Sequence, residues 1–172
     1  PASQPKIVSA GSLVTLGVDF TGGKFIPFPV VHTKTVVAVN HLTDTANLNY
    51  LVGKSAGDGG VRESTPNGSV MGADTGQGST TADFNGSGGS THVNGSQSSF
   101  ALTSKNVYFG MRSASTGFQF SAIGTAFTHG GISRSWRGQI AEVILYGTDQ
   151  TDKRRAIEES IASNYSITLG SF

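Results

Sequence analysis

An all-β sandwich carrying one late helix is the fold this sequence predicts, and three observations predict it. Short runs rich in Val, Ile, Phe and Thr recur along the chain, bounded by Gly, Pro and Asn-Gly pairs. The run from Gly138 to Tyr146, Gly-Gln-Ile-Ala-Glu-Val-Ile-Leu-Tyr, is apolar on both faces, as a central strand covered on both sides requires. Only after it does an apolar spacing of four appear, at Ile157, Ile161 and Tyr165.

A chain of 172 residues fits one domain, 1–172. Its 12 Lys and Arg against 11 Asp and Glu leave a formal charge of +1, which excludes an electrostatic nucleic-acid binder. Only 13% of residues are charged, about half the roughly 25% usual for soluble domains. Gly, Ser and Thr number 24, 22 and 18, so small neutral polar groups do the solubilising. That texture suits extracellular and virion-surface β proteins. Cysteine is absent, so no disulfide staples the fold. No apolar run reaches the roughly 18 residues that span a bilayer, and no membrane insertion is expected. The opening Pro-Ala-Ser-Gln-Pro-Lys is neither an initiator Met nor a signal peptide, and reads as a processed chain or a piece of a longer protein.

The strands fall in order. Residues 13–18, 24–28 and 35–39 are β runs, with Pro27 and Pro29 putting the second at a sheet edge or at its end. The region 53–99 changes texture: it holds 12 of the 24 glycines and only eight apolar residues. Three Asn-Gly pairs, at Asn67, Asn85 and Asn94, favour the positive φ of two-residue hairpin turns. Weak strands separated by turns follow, with part of 72–89 as a long loop. Residues 100–102, 107–111 and 118–123 are further strands, and then comes the strand 138–146. The helix covers about 151–164, started by Asp149 or Thr151 and charged on its outer face, where Glu158 and Glu159 are solvated.

Catalytic constellations fail one by one. A glycosidase needs two carboxylates about 5 to 9.5 Å apart, yet the only Glu residues are Glu63, Glu142, Glu158 and Glu159. Glu142 stands alone on its strand, with Ile140 and Ile144 flanking it on one face at period two. There is no Gly-x-Ser-x-Gly elbow, no thiol, and no His-Glu-x-x-His among His32, His41, His92 and His129. Gly53-Lys54-Ser55 lacks the Gly a phosphate loop needs five residues earlier, where Leu48 stands. No enzyme is expected, with a hydrolase of non-standard site the minor alternative. Calcium is the one ion candidate: Asp58, Asp74 and Asp83 sit beside Asn and Gly and offer hard oxygen ligands. Turn formation accounts for the same residues.

The segment Trp136 to Tyr146, followed by 156–167, resembles the C-terminal signature of the concanavalin A-like lectin/glucanase superfamily, and more narrowly of laminin-G-like jelly-roll domains of bacterial and phage type. That signature runs as an aromatic, Gly, a polar residue, Ile-Ala-Glu and an apolar run ending in Tyr. A short helix leading to Tyr-Gly-Ile follows; here Tyr165-Ser166-Ile167 holds those last places. Weaker echoes are 18–23, 35–39, the turn His92-Val93-Asn94-Gly95 and Ala122-Ile123-Gly124. Ser160 replaces an aromatic of the signature and Asn164 a Lys. The resemblance implies a two-sheet antiparallel jelly-roll sandwich with one short C-terminal amphipathic helix. It makes Glu142, Ile157, Ile161 and Tyr165 structural, with an ionised Glu142 in need of a hydrogen-bond partner near the strand–helix junction.

Two functions compete. The first is a non-catalytic glycan-binding or adhesion module of a surface-exposed protein such as a phage fibre, tail or capsid. Trp136, the only Trp, either packs or stacks on a sugar ring, and Tyr50, Tyr108, Phe118 and Phe127 share that ambiguity. Asn94, Asp83 and His92 would add polar contacts, calcium would order the loops, and the partners would be cell-surface or environmental glycans. The second is a structural or decoration domain contacting capsid or fibre subunits, as an oligomer, through residues such as 25–28 or Phe172. Either places the chain outside the cell or on a virion surface.

Overall fold

The computed structural model describes residues 6–8, 17–20, 24–43, 49–53, 60–63, 71–76, 79–80, 89–96, 106–112, 118–125 and 135–171. Twelve strands run through them: β1 (Lys6–Val8), β2 (Gly17–Asp19), β3 (Ile26–Thr33), β4 (Thr35–Leu42), β5 (Tyr50–Gly53), β6 (Gly60–Glu63), β7 (Met71–Gly76), β8 (Ser79–Thr80), β9 (Gly89–Val93), β10 (Asn106–Arg112), β11 (Phe118–Ile123) and β12 (Gly138–Tyr146). A 3-10 turn, Thr151–Lys153, leads into the single helix described, α1 (Arg154–Tyr165). The strands form two six-stranded antiparallel sheets, ordered β1-β2-β12-β4-β10-β9 and β3-β11-β5-β6-β7-β8. None of the described residues forms a helix long and apolar enough to cross a membrane.

β4 and β12 are the centre of the first sheet, and their two-faced hydrophobicity has two destinations. Val36, Ala38 and Leu42 of β4 and Ile140 of β12 enter a cluster with Phe20, Trp136 and Val93. The second sheet sends Leu51, Val52, Val61 and Phe120 into the same cluster. Val37 and Val39, on the opposite face of β4, pack instead with Ile161 and Ala162 of α1. Ile157 and Tyr165, with Ile167 and Leu169 beyond the helix, complete that second cluster. Each fully buried Leu, Val or Ile contributes about 1.5–3 kcal/mol, so both faces of β4 stabilise the fold.

Simple alternation fails at one place on β12. Ile140 pairs with Asn40 and Glu142 with Val39, so Ala141 is an extra residue in a β-bulge. Past the bulge, Val143 and Leu145 point with Ile140 into the first cluster, while Ala141, Ile144 and Tyr146 pack in the second. The expected Ile140–Glu142–Ile144 face is therefore corrected: the bulge moves Ile140 to the other side from Ile144.

Local chemistry explains the turns. Asn94 and Gly95 take φ of 48° and 87°, and Val93 and Ser96 exchange two backbone hydrogen bonds of 2.9 and 3.0 Å across them. Asn67-Gly68 and Asn85-Gly86 lie outside the described residues. β6, β7 and β8 form an antiparallel run in the Gly-rich region, so strand extends into 72–80, part of which was expected as loop. β3 is the edge of its sheet, as Pro27 and Pro29 anticipate, and its Ile26 and Val30 are exposed. Asp149 accepts the Thr151 N–H at 2.9 Å and so starts the 3-10 turn, three residues before the α-helix proper. The helix ends at Ser166, left-handed at φ 53°, with the Ile167 N–H donating to the Ala162 carbonyl at 2.9 Å.

Candidate functional site

After β12 a short connection turns the chain back, and α1 lies along the outer face of the strand. The Tyr165 hydroxyl at the helix end donates to the Glu142 carboxylate, so Glu142 lies by the end of α1 and Tyr146 by its start. Ile157 and Ile161 face the sheet, and Lys153, Ala156, Ser160 and Asn164 follow at helical spacing down one flank. Between that flank and Glu142, Ile144 and Tyr146 of β12 runs an open groove of about 390 Å³.

Its chemistry changes from end to end. Glu142 lies by Tyr165 at the end of α1 and Lys153 stands just before its start, about 18 Å earlier along the helix axis. The floor between them is Ile144, Ile157 and Ile161, with the partly exposed Tyr146 ring beside it. Ser160 and Asn164 contribute a hydroxyl and an amide. Burial raises the Tyr165 hydroxyl pKa above its ordinary value, and the charge and hydrogen bond of Glu142 act the same way.

The three consecutive basic residues at the helix start point in three directions. Arg154 pairs with Glu158, Nη1 to Oε2 at 3.0 Å, and donates to the Gly95 carbonyl at 3.2 Å. Arg155 pairs with Glu159 at 2.7 Å on the exposed face. Lys153 has Ile157 at i+4 and no ion-pair partner among the described residues. Among the described residues its ammonium is the cation lining the groove, opposite in sign to the Glu142 carboxylate.

The far flank of α1 is closed. Glu158 was expected to be solvated; it is fully buried, and this expectation is corrected. Its partner Arg154 also donates to the Gly95 carbonyl, which sets the turn after β9 on this flank of the helix. Burial raises the Glu158 pKa to about 7, against the opposing charge and hydrogen bond of Arg154. Its Oε1 has no hydrogen-bond partner among the described residues. His92, partly buried on β9, is lowered to about 4 by burial and then by the Arg154 charge.

Of the sequence-derived ligand residues, Trp136, Tyr50, Asn94 and His92 do not line the groove. Trp136 and Tyr50 are both 0% exposed, and the expectation that either stacks on a sugar is corrected, since a ring without accessible surface cannot receive one. Asn94 and His92 stand on the closed flank, where the Asn94 carbonyl accepts the Gly170 N–H at 2.6 Å. Asp74 is a β7 residue paired with Gly60 and Thr80; Asp58 and Asp83 lie outside the described residues, as do Phe127 and Phe172. Tyr108 and Phe118 are on β10 and β11. Among the described residues no group of three His, Asp or Glu gathers to hold a metal ion. Sequence reading missed Tyr146, Lys153, Ser160 and Asn164 as groove residues. Their signal was the i, i+3, i+7, i+11 spacing of 153, 156, 160 and 164. Comparison with models of known families, with curated proteins and with solved structures found no match.

Proposed function

We propose that the chain is a non-catalytic glycan-binding module of concanavalin A-like, laminin-G-like type, its two sheets stacked as a jelly-roll sandwich. It belongs on this reading to a surface-exposed protein, outside the cell or on a virion. The observation that carries the proposal is the β12–α1 groove. A sugar presents hydroxyls around an apolar ring face, and the groove offers a carboxylate, an amide and a hydroxyl around aliphatic floor and a Tyr ring. Among the described residues Glu142 is the single carboxylate lining it. Hydrolysis of a glycosidic bond uses two, so the groove suits holding a glycan and not cleaving one.

A glycan array probed with the whole chain tests this, with Ser160→Trp as the variant that fills the groove. Binding by the parent chain that the variant loses supports the reading; an array empty for both defeats it. A second reading, a structural module contacting its neighbours, is favoured by Ile26 and Val30 exposed at 39% and 55% on edge strand β3. Light scattering on the parent chain and Val30→Lys decides it, through an oligomer that the charge dissolves.

A further inference from the structure

We infer that the groove selects acidic glycans, seating a carboxylate or sulfate of the sugar at Lys153 and uncharged hydroxyl donors at Glu142. The inference rests on the glycan reading above and adds the class of sugar and its direction.

Charge carries the argument. Of the cations at the start of α1, Arg154 and Arg155 are each held by an acid one turn on. His92, lowered to about 4, is neutral at pH 7. Lys153 alone among them lines the groove with its charge unspent. At the other end, Glu142 accepts hydrogen bonds and repels anions. A ligand with an acid at both ends is therefore disfavoured, and one with its acid at the Glu142 end is reversed. A neutral sugar would gain no ion pair at the Lys153 ammonium.

Geometry sets the size. About 390 Å³ lies near the lower limit of small-molecule sites, which gives room for one or two sugar rings. A lysine ammonium is a compact point charge with no planar fork, so it takes a carboxylate and a sulfate ester alike. The side chain is exposed, so the pair it makes is screened by salt.

The test measures affinities of the whole chain for three matched disaccharide sets: uronic-acid-containing, sulfated and neutral. Lys153→Gln should weaken binding of the acidic sets about fivefold and leave neutral sugars unchanged, while Lys153→Arg retains it. Raising the salt concentration should reproduce the Lys153→Gln loss in the parent chain. Loss confined to one acidic set identifies the anion that Lys153 takes. If acidic and neutral sugars bind alike, and Lys153→Gln changes neither while Ser160→Trp abolishes both, acid selection is overturned and glycan binding in the groove stands. If no set binds, both fall.

Discussion

The hydroxyl of Tyr165 donates to the carboxylate of Glu142, joining the last residue of α1 to the middle of β12. This bond supplies the partner that a carboxylate on an apolar strand needs, and it fixes one end of the groove.

Tyr165→Phe should therefore lower the free energy of unfolding by about 1 kcal/mol, measured by urea denaturation. Glu142→Gln should cost a similar amount, and the double variant less than the sum of the two, because both remove one interaction. Additive losses would show that the two groups do not act as a pair.

Glu158 makes stability depend on pH in a definite direction. Its pKa is raised from 4.5 to about 7 on folding, so the folded state binds the proton more tightly. The contribution is complete below pH 4.5 and falls as pH rises through about 7, by about 3 kcal/mol in full. His92 acts oppositely: its lowered pKa favours the fold above pH 6.5 and is lost toward pH 4. The difference in melting temperature between Glu158→Gln and the parent chain isolates Glu158, and should grow in favour of Gln from pH 5 to pH 8. A constant difference would place the carboxylate in water.

Trp136 is the only tryptophan and is fully buried. Its fluorescence should be blue-shifted from that of free tryptophan and resist iodide quenching, and added glycans should leave it unchanged. Trp136→Ala should cost about 3–5 kcal/mol, read by thermal melting. Ready quenching by iodide would mean an exposed indole.

Ser166 holds a left-handed conformation at φ 53°, where a side chain costs about 1 kcal/mol that glycine does not. Ser166→Gly should stabilise the chain by about 0.5 kcal/mol in denaturant titration.

Much of this architecture is legible residue by residue where the cause is local. Asn94-Gly95 specifies its turn because both residues accept positive φ, whatever surrounds them. The Pro residues of β3 cannot donate to a ladder and so mark an edge. The four-residue spacing of Ile157, Ile161 and Tyr165 places one helix face on a sheet. The two apolar faces of 138–146 likewise require cover from two sides.

Tertiary structure decided the rest, because burial is a sum over neighbours distant in sequence. Nothing near Glu158 announces that the β9 turn will close over it, nor does period two reveal the bulge at Ala141. Trp136 carries the same indole whether it stacks on a sugar or seals a core; side chains from both sheets put it in the core. The groove exists only because one flank of α1 meets β9 while the other is left open beside β12. By itself the sequence determined strands β3, β4, β10, β11 and β12, the helix and the Asn94-Gly95 turn, through local propensity and periodicity. Which of their polar residues face water was decided by how those elements pack.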